Sequence, residues 1–160
     1  MGVGAMVDVA LALVRDGVLI CVLVALAVVD ARRGLLPNVI VLPAGIVGLA
    51  LSMASDPEHW WAYPSSAVGV GLGLFVLAAA YPGGMGMGDV KMGGMMGAFL
   101  GPHAFVAVFL GAVFGSVVGG ALVLSGRMGR RTPMPFGSFM AIGGLVVLVF
   151  GPGIYGWHYG

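Results

Sequence analysis

Between Lys91 and Arg127 the chain carries no aspartate, glutamate, lysine or arginine, and apolar residues and glycine fill most of the run. The hydrocarbon core of a bilayer, roughly 30 Å thick, is crossed by about 20 apolar residues of helix. This run is therefore long enough for two passes, and "GPH", residues 101–103, is the break that divides it. The same criterion along the whole sequence gives spans at approximately 5–30, 36–54, 64–81, 89–101, 103–125 and 136–152. The fourth is short, which a partly re-entrant helix or a thinned bilayer accommodates. The expected fold is an all-α polytopic membrane protein, a bundle of six transmembrane helices, as one domain over residues 1–160.

Composition agrees. Apolar residues make up 60% of the 160-residue chain and charged residues 8%, with a mean hydropathy of +1.10. Soluble domains carry roughly 25% charge. The net charge of +1 says nothing about nucleic acid, but no basic run offers a phosphate-tracking surface, so no nucleic-acid partner is expected. The N-terminus has no basic n-region and carries Asp8, Arg15 and Asp16, so it reads as an uncleaved first helix rather than a signal peptide. The single cysteine, Cys21, forms no intramolecular disulfide and reads as a buried bystander.

The loops alternate in charge. Arg32 and Arg33 follow the first span, Lys91 opens the fourth, and Arg127, Arg130 and Arg131 separate the fifth from the sixth; of the seven lysines and arginines only Arg15 falls on the other side. The positive-inside rule assigns the first set to the cytoplasm and both termini to the outside of the plasma (inner) membrane. Trp60, Trp61 and Tyr63, with Tyr155, Trp157 and Tyr159, supply aromatic anchors for the outer interface. Glycines spaced by four, at 69 and 73, 93 and 97, and 111, 115 and 119, suit close helix approach in lipid without fixing a particular pairing. Homo-oligomerisation stays open.

Against this background two carboxylates stand out. Asp8, Asp16, Asp56 and Glu58 read as solvated or locally paired, Asp16 with Arg15. Asp30 ends the apolar run "LICVLVALAVVD" and Asp89 starts the fourth span, so both arrive at one depth on one side. A carboxylate in such a place has a partner or a task. Two that meet cannot easily both ionise, and one then serves as base while the other donates a proton. Alternatively each is an interfacial charge, Asp30 offset by Arg32 or Arg33 and Asp89 by the positive end of its own helix. Position alone leaves both readings open.

The neighbours of Asp89 add weight. Met92, Gly93, Met96 and Gly97 share its helix face, and the two glycines leave room for another backbone. Lys91 lies roughly 200° around the helix, pointing away from Asp89 toward lipid or another loop. Gly84, Gly86 and Gly88 free the preceding loop conformationally. The stretch is neither a dinucleotide fingerprint nor a P-loop, because no strand precedes it and no Gly-Lys-Ser/Thr follows. His59, His103 and His158 are too scattered to hold a metal. The methionines at 85, 87, 92, 95 and 96 read as flexible packing, or as a pliable surface for an apolar substrate helix.

"GMGDVK", Gly86 to Lys91, resembles the Gly-x-Gly-Asp-x-Lys motif of type IV prepilin peptidases, members of the Gly-x-Gly-Asp membrane aspartyl proteases that also include presenilin-like enzymes. "DARRGLLPN", Asp30 to Asn38, is similar to the family's first-aspartate segment with its aliphatic-Pro-Asn. "GDVKMGGMMGAFLG" continues like the family's fourth helix, with Met92 where leucine is usual, and "MPFGSF", Met134 to Phe139, resembles the Pro-Phe-Gly-x-Phe start of its last helix.

The resemblance implies that Asp30 and Asp89 are the catalytic pair, with Gly86, Gly88, Lys91, Pro37 and Asn38 shaping the site and no cofactor or metal. It implies an aspartic endopeptidase that removes the short basic leader from prepilin-like precursors, pilins or preflagellins, at the cytoplasmic face. The precursor's apolar N-terminal helix and membrane lipid would be its partners. Many bacterial members carry an N-terminal extension with paired Cys-x-x-Cys motifs and also N-methylate the product; this sequence resembles the short forms, which implies no methylation. Other readings are a small proton-coupled transporter using Asp30 and Asp89 as a relay, against which no internal repeat or midplane site is visible, and a non-catalytic relative acting in pilus assembly.

Overall fold

The computed structural model describes residues 2–81, 85–127, 129 and 134–155, with side chains to residue 151. Gly84, Arg130, Arg131, Trp157, His158, Tyr159 and the Tyr155 side chain, all named above, lie outside the described residues. The elements are α1 (Val3–Arg33), α2 (Asn38–Ser55), α3 (Ala62–Ala80), α4 (Met87–Leu100), α5 (His103–Leu124) and α6 (Phe136–Tyr155). Among the described residues the fold is the expected all-α multi-pass bundle of six helices, and α1, α2, α3 and α5 are each long and apolar enough to cross a bilayer.

α1 buries Ala12, Arg15, Leu19, Leu23, Leu26 and Asp30, a stripe recurring every three or four residues. It ends where Gly34 takes the left-handed conformation, φ 61°, and its N–H donates to the Asp30 carbonyl at 2.7 Å. Cys21 falls off that stripe and is exposed, which corrects the expectation of a buried thiol: it lies roughly 200° around the helix from both Leu19 and Leu23.

α4 is the axis of the bundle. It has only 14 residues, too few to cross a full hydrocarbon core, yet nearly every position from Asp89 to Leu100 is buried. It packs against all five other helices. Its glycines permit this: a Cβ on Gly97 would lie 2.6 Å from the Ala67 Cα and from the Ser66 carbonyl oxygen, so the α3 backbone occupies the room that Gly97 leaves, while the Leu74 and Val70 side chains of α3 fill the room at Gly93. Gly111 on α5 does the same for α6, where a Cβ would meet the Met140 Cα at 2.8 Å. The α4–α5 junction falls at the expected break, with Gly101 at φ 56° and His103 already inside α5.

At the end of the bundle opposite Asp30, Arg15 is 4% exposed and its guanidinium pairs with Asp16 at 2.9 Å. Tyr63 is buried there and donates to Asp56 at 3.1 Å, so it is a core hydroxyl rather than the interfacial anchor expected beside the exposed Trp60 and Trp61. Its polar tip has a carboxylate to reach, and burial follows.

Candidate active site

Four helix ends meet at one end of the bundle: the C-terminus of α1 and the N-termini of α2, α4 and α6. Two hydrogen bonds fix this arrangement, Ser138 to Asp30 and Lys91 to Asn38. Asp30, on the last turn of α1, is 4% exposed, and Asp89, in the first turn of α4, is 9% exposed. They lie within electrostatic reach of one another.

Each carboxylate is held by a backbone N–H at the start of a helix. The Gly86 N–H donates to Asp89 Oδ2 at 3.1 Å, while the Asp89 N–H donates to the Gly86 carbonyl at 3.1 Å. This is half of a capping box: glycine has no side chain to accept the return bond, so its carbonyl does so. Asp30 is held from another helix. The Ser138 N–H, in the first turn of α6, donates to Asp30 Oδ2 at 2.8 Å, and the Ser138 hydroxyl lies 3.3 Å from the same oxygen and 3.1 Å from the Ala27 carbonyl. Among the described residues, Oδ1 of neither aspartate takes part in these bonds.

Leu36 joins the two halves. A Cβ on Gly88 would stand 3.0 Å from the Leu36 Cβ, and one on Gly137 would stand 2.9 Å from Leu36 Cδ1 and 3.0 Å from Asp30 Oδ2. The leucine is thus wedged between the starts of α4 and α6, and both glycines are there because a side chain would push it, or Asp30, aside. Gly86 is different: with φ −83° and its nearest neighbour at 3.5 Å, it has no such steric demand.

Pro37 caps α2, its carbonyl accepting the Ile40 and Val41 N–H groups at 3.1 and 3.2 Å. The next residue, Asn38, accepts a hydrogen bond from Lys91 Nζ at 3.0 Å. Lys91 points away from Asp89, as expected from helix geometry, and meets the start of α2. A groove of about 310 Å³ between α2 and α3 is floored by Gly94, Met95 and Ala98 and reaches Lys91. These positions sit roughly 140–240° around α4 from Asp89, so the groove is separate from the carboxylates.

The sequence brought Asp30, Asp89, Gly88, Lys91, Pro37 and Asn38 to attention, and the structure gathers them at this end of the bundle. Ser138 and Leu36 were missed as individuals, though both sit inside the quoted motifs "MPFGSF" and "DARRGLLPN". No group of three or more His, Cys, Asp or Glu is gathered for a metal among the described residues. Chemically, two buried carboxylates brought to one end of the bundle can divide the roles of acid and base.

Comparison with known proteins gives the same direction. The model of the type IV leader peptidase family matches residues 17–124, a range containing both aspartates. The chain is 33% identical over 142 residues to the prepilin leader peptidase/N-methyltransferase of Bacillus subtilis (strain 168), covering 88% of this chain and 57% of that protein. It is 31% identical over 146 residues to the protein of the same name from Aeromonas salmonicida (strain A449), covering 86% and 49%. With the one from Xanthomonas campestris pv. campestris it shares 34% identity over 143 residues, covering 84% and 49%. The chain thus spans about half the length of the curated relatives it matches. No solved structure matches.

Proposed function

The chain belongs to the type IV leader peptidase family, and we propose that residues 1–160 form one membrane-embedded aspartic endopeptidase unit in which Asp30 and Asp89 are the catalytic pair. Its substrates are prepilin-like precursors, from which it removes a short basic leader. The observation that carries this reading is the convergence of Asp30 and Asp89, each with Oδ2 pinned by a backbone N–H and Oδ1 left for chemistry.

With one proton on the pair, the ionised carboxylate takes a proton from a water as its oxygen attacks the scissile carbonyl carbon. The protonated carboxylate donates to the carbonyl oxygen, giving a gem-diol. The gem-diol then collapses: the C–N bond breaks, the proton gained from water goes to the leaving nitrogen, and a hydroxyl proton returns to the other carboxylate. The pair ends as it began.

Arg32 and Arg33 lie in the last turn of α1 and Lys91 near the start of α4, the helix ends that carry the carboxylates, and Arg127 follows the C-terminus of α5. The positive-inside rule makes this end cytoplasmic, so the active site faces the cytoplasm of the plasma membrane and both ends of this sequence lie outside. A precursor's apolar helix would approach through the lipid with its leader on the aqueous side. Coexpressing this chain with a prepilin-like precursor, in a host lacking other prepilin peptidases, tests the reading. A shortened precursor is expected; a precursor left intact by well-expressed, correctly inserted protein would contradict it.

A further inference from the structure

Asp30 is held by a helix on which it does not lie, across 108 residues of sequence. Its Oδ2 is the acceptor for an N–H in the first turn of α6, one of the backbone donors that no carbonyl of the same helix can satisfy through the regular ladder. We propose that Ser138 is the positioning residue for Asp30, acting mainly through its backbone N–H, and that α6 thereby sets Asp30 as the proton acceptor of the pair. This rests on the reading of Asp30 and Asp89 as the catalytic carboxylates.

Three observations support the assignment. Among the described residues the N–H contact, 2.8 Å, is the shortest polar contact to either carboxylate, and Asp30 Oδ2 is the nearer of that N–H's two acceptors, the Pro135 carbonyl lying at 3.2 Å. With Oδ2 bound, rotation about either the Cα–Cβ or the Cβ–Cγ bond would carry that oxygen away from the N–H and break the hydrogen bond, so Oδ1 is held as well. The helix N-terminus also favours negative charge at that spot, through its unpaired N–H groups and its dipole. Asp89 also lies at a helix start but accepts from Gly86 at 3.1 Å, in the loop ahead of its own helix.

The hydroxyl of Ser138 has a secondary part. It has one proton and two acceptors in range, the Ala27 carbonyl at 3.1 Å and Asp30 Oδ2 at 3.3 Å, and the nearer one is the carbonyl. The hydroxyl therefore anchors α6 to α1 while the N–H holds the carboxylate. Gly137 is the necessary neighbour: a Cβ there would stand 3.0 Å from Asp30 Oδ2, against the oxygen that Ser138 binds.

The test is a set of variants assayed for kcat and KM on a purified prepilin-like precursor in detergent, with thermal unfolding followed in parallel. Ser138→Thr keeps both donors and should match the wild type. Ser138→Ala keeps the N–H and should lose no more than a fewfold in kcat. Ser138→Pro removes the N–H and should lower kcat roughly ten- to hundredfold, the range for a hydrogen bond to a charged group, with KM within about twofold because precursor binding is untouched. Gly137→Ala crowds the same oxygen, leaves the N–H in place and should give the same kcat-weighted loss, so it decides the matter if Ser138→Pro does not fold.

A folded Ser138→Pro with wild-type kcat would overturn the proposal, as would a Gly137→Ala with wild-type kcat, or losses that appear in KM alone. Asp30→Asn run alongside separates this from the underlying reading. Activity in Asp30→Asn removes the reading itself; inactive Asp30→Asn beside fully active Ser138 and Gly137 variants removes only the role given to Ser138.

Discussion

Lys91 donates a hydrogen bond to the side-chain oxygen of Asn38 at 3.0 Å, tying the second turn of α4 to the first residue of α2. The bond spans the site without touching either carboxylate, and it explains why a lysine pointing away from Asp89 belongs to the same motif. The segment it closes off carries Leu36, which packs against Gly88 beside Asp89. Lys91→Met and Asn38→Ala should therefore have similar effects, and the double variant should be no worse than either alone. The bond is exposed, so its coupling energy should be only about 0.5–1 kcal/mol. A double-mutant cycle on unfolding in mixed micelles measures it; strictly additive effects would show that the contact contributes nothing.

Helix contact through glycine gives a second expectation. Gly97→Ala should destabilise the protein by about 1–3 kcal/mol, since its Cβ would strike the α3 backbone, which cannot rotate aside as a side chain could. Gly120→Ala, with nothing within 4 Å, should be neutral or stabilise by roughly 0.5–1 kcal/mol through helix propensity. Thermal unfolding of the two variants in one detergent is the check, and equal melting temperatures would show that α3 and α4 do not approach this closely.

The helices themselves were legible in the sequence because lipid imposes one demand, satisfied backbone over a fixed thickness, and long charge-free runs report it. Every boundary fell within a few residues, and α1 outran its expected end only because Arg32 and Arg33 fit its last turn before Gly34 stops it. That Asp30 and Asp89 fall at the same end of the bundle was legible for the same reason. The contacts made between distant elements were not. Nothing local marks Ser138 as a donor to Asp30, because the useful atom is its backbone N–H, which is the same for every residue but proline. Arg15 and Tyr63 were read by their neighbours in sequence, whereas their burial follows from the helix faces on which they fall. Cys21 shows the converse: an apolar run says that a helix lies in lipid, and only the stripe of Leu19, Leu23 and Leu26 says which side faces protein.

Orientation is checked by single cysteines placed in a Cys21→Ala background, since the native thiol is exposed. Cysteines at 32, 87 and 129 should be shielded from an impermeant thiol reagent in intact cells, and one at 58 should label. Labelling in the reverse pattern would place the carboxylates on the outer side.

Shared protonation has its own signature. If one proton on the pair is needed, kcat/KM should fall on both sides of an optimum, the acid side as the second carboxylate gains a proton and the alkaline side as the shared one leaves. Both limbs belong to the pair as a unit. The measurement is kcat/KM against pH on detergent-solubilised enzyme, with folding verified at each pH. A rate still climbing past roughly pH 9 would require a different base.

Most direct of all is cleavage of a purified precursor by Asp30→Asn and Asp89→Asn, each reconstituted beside the wild type. Asparagine is nearly isosteric with aspartate but cannot cycle between acid and base. Each single variant should insert, purify and unfold like the parent while leaving the leader uncut. Substantial leader removal by either variant would contradict the assignment of Asp30 and Asp89 as the catalytic pair.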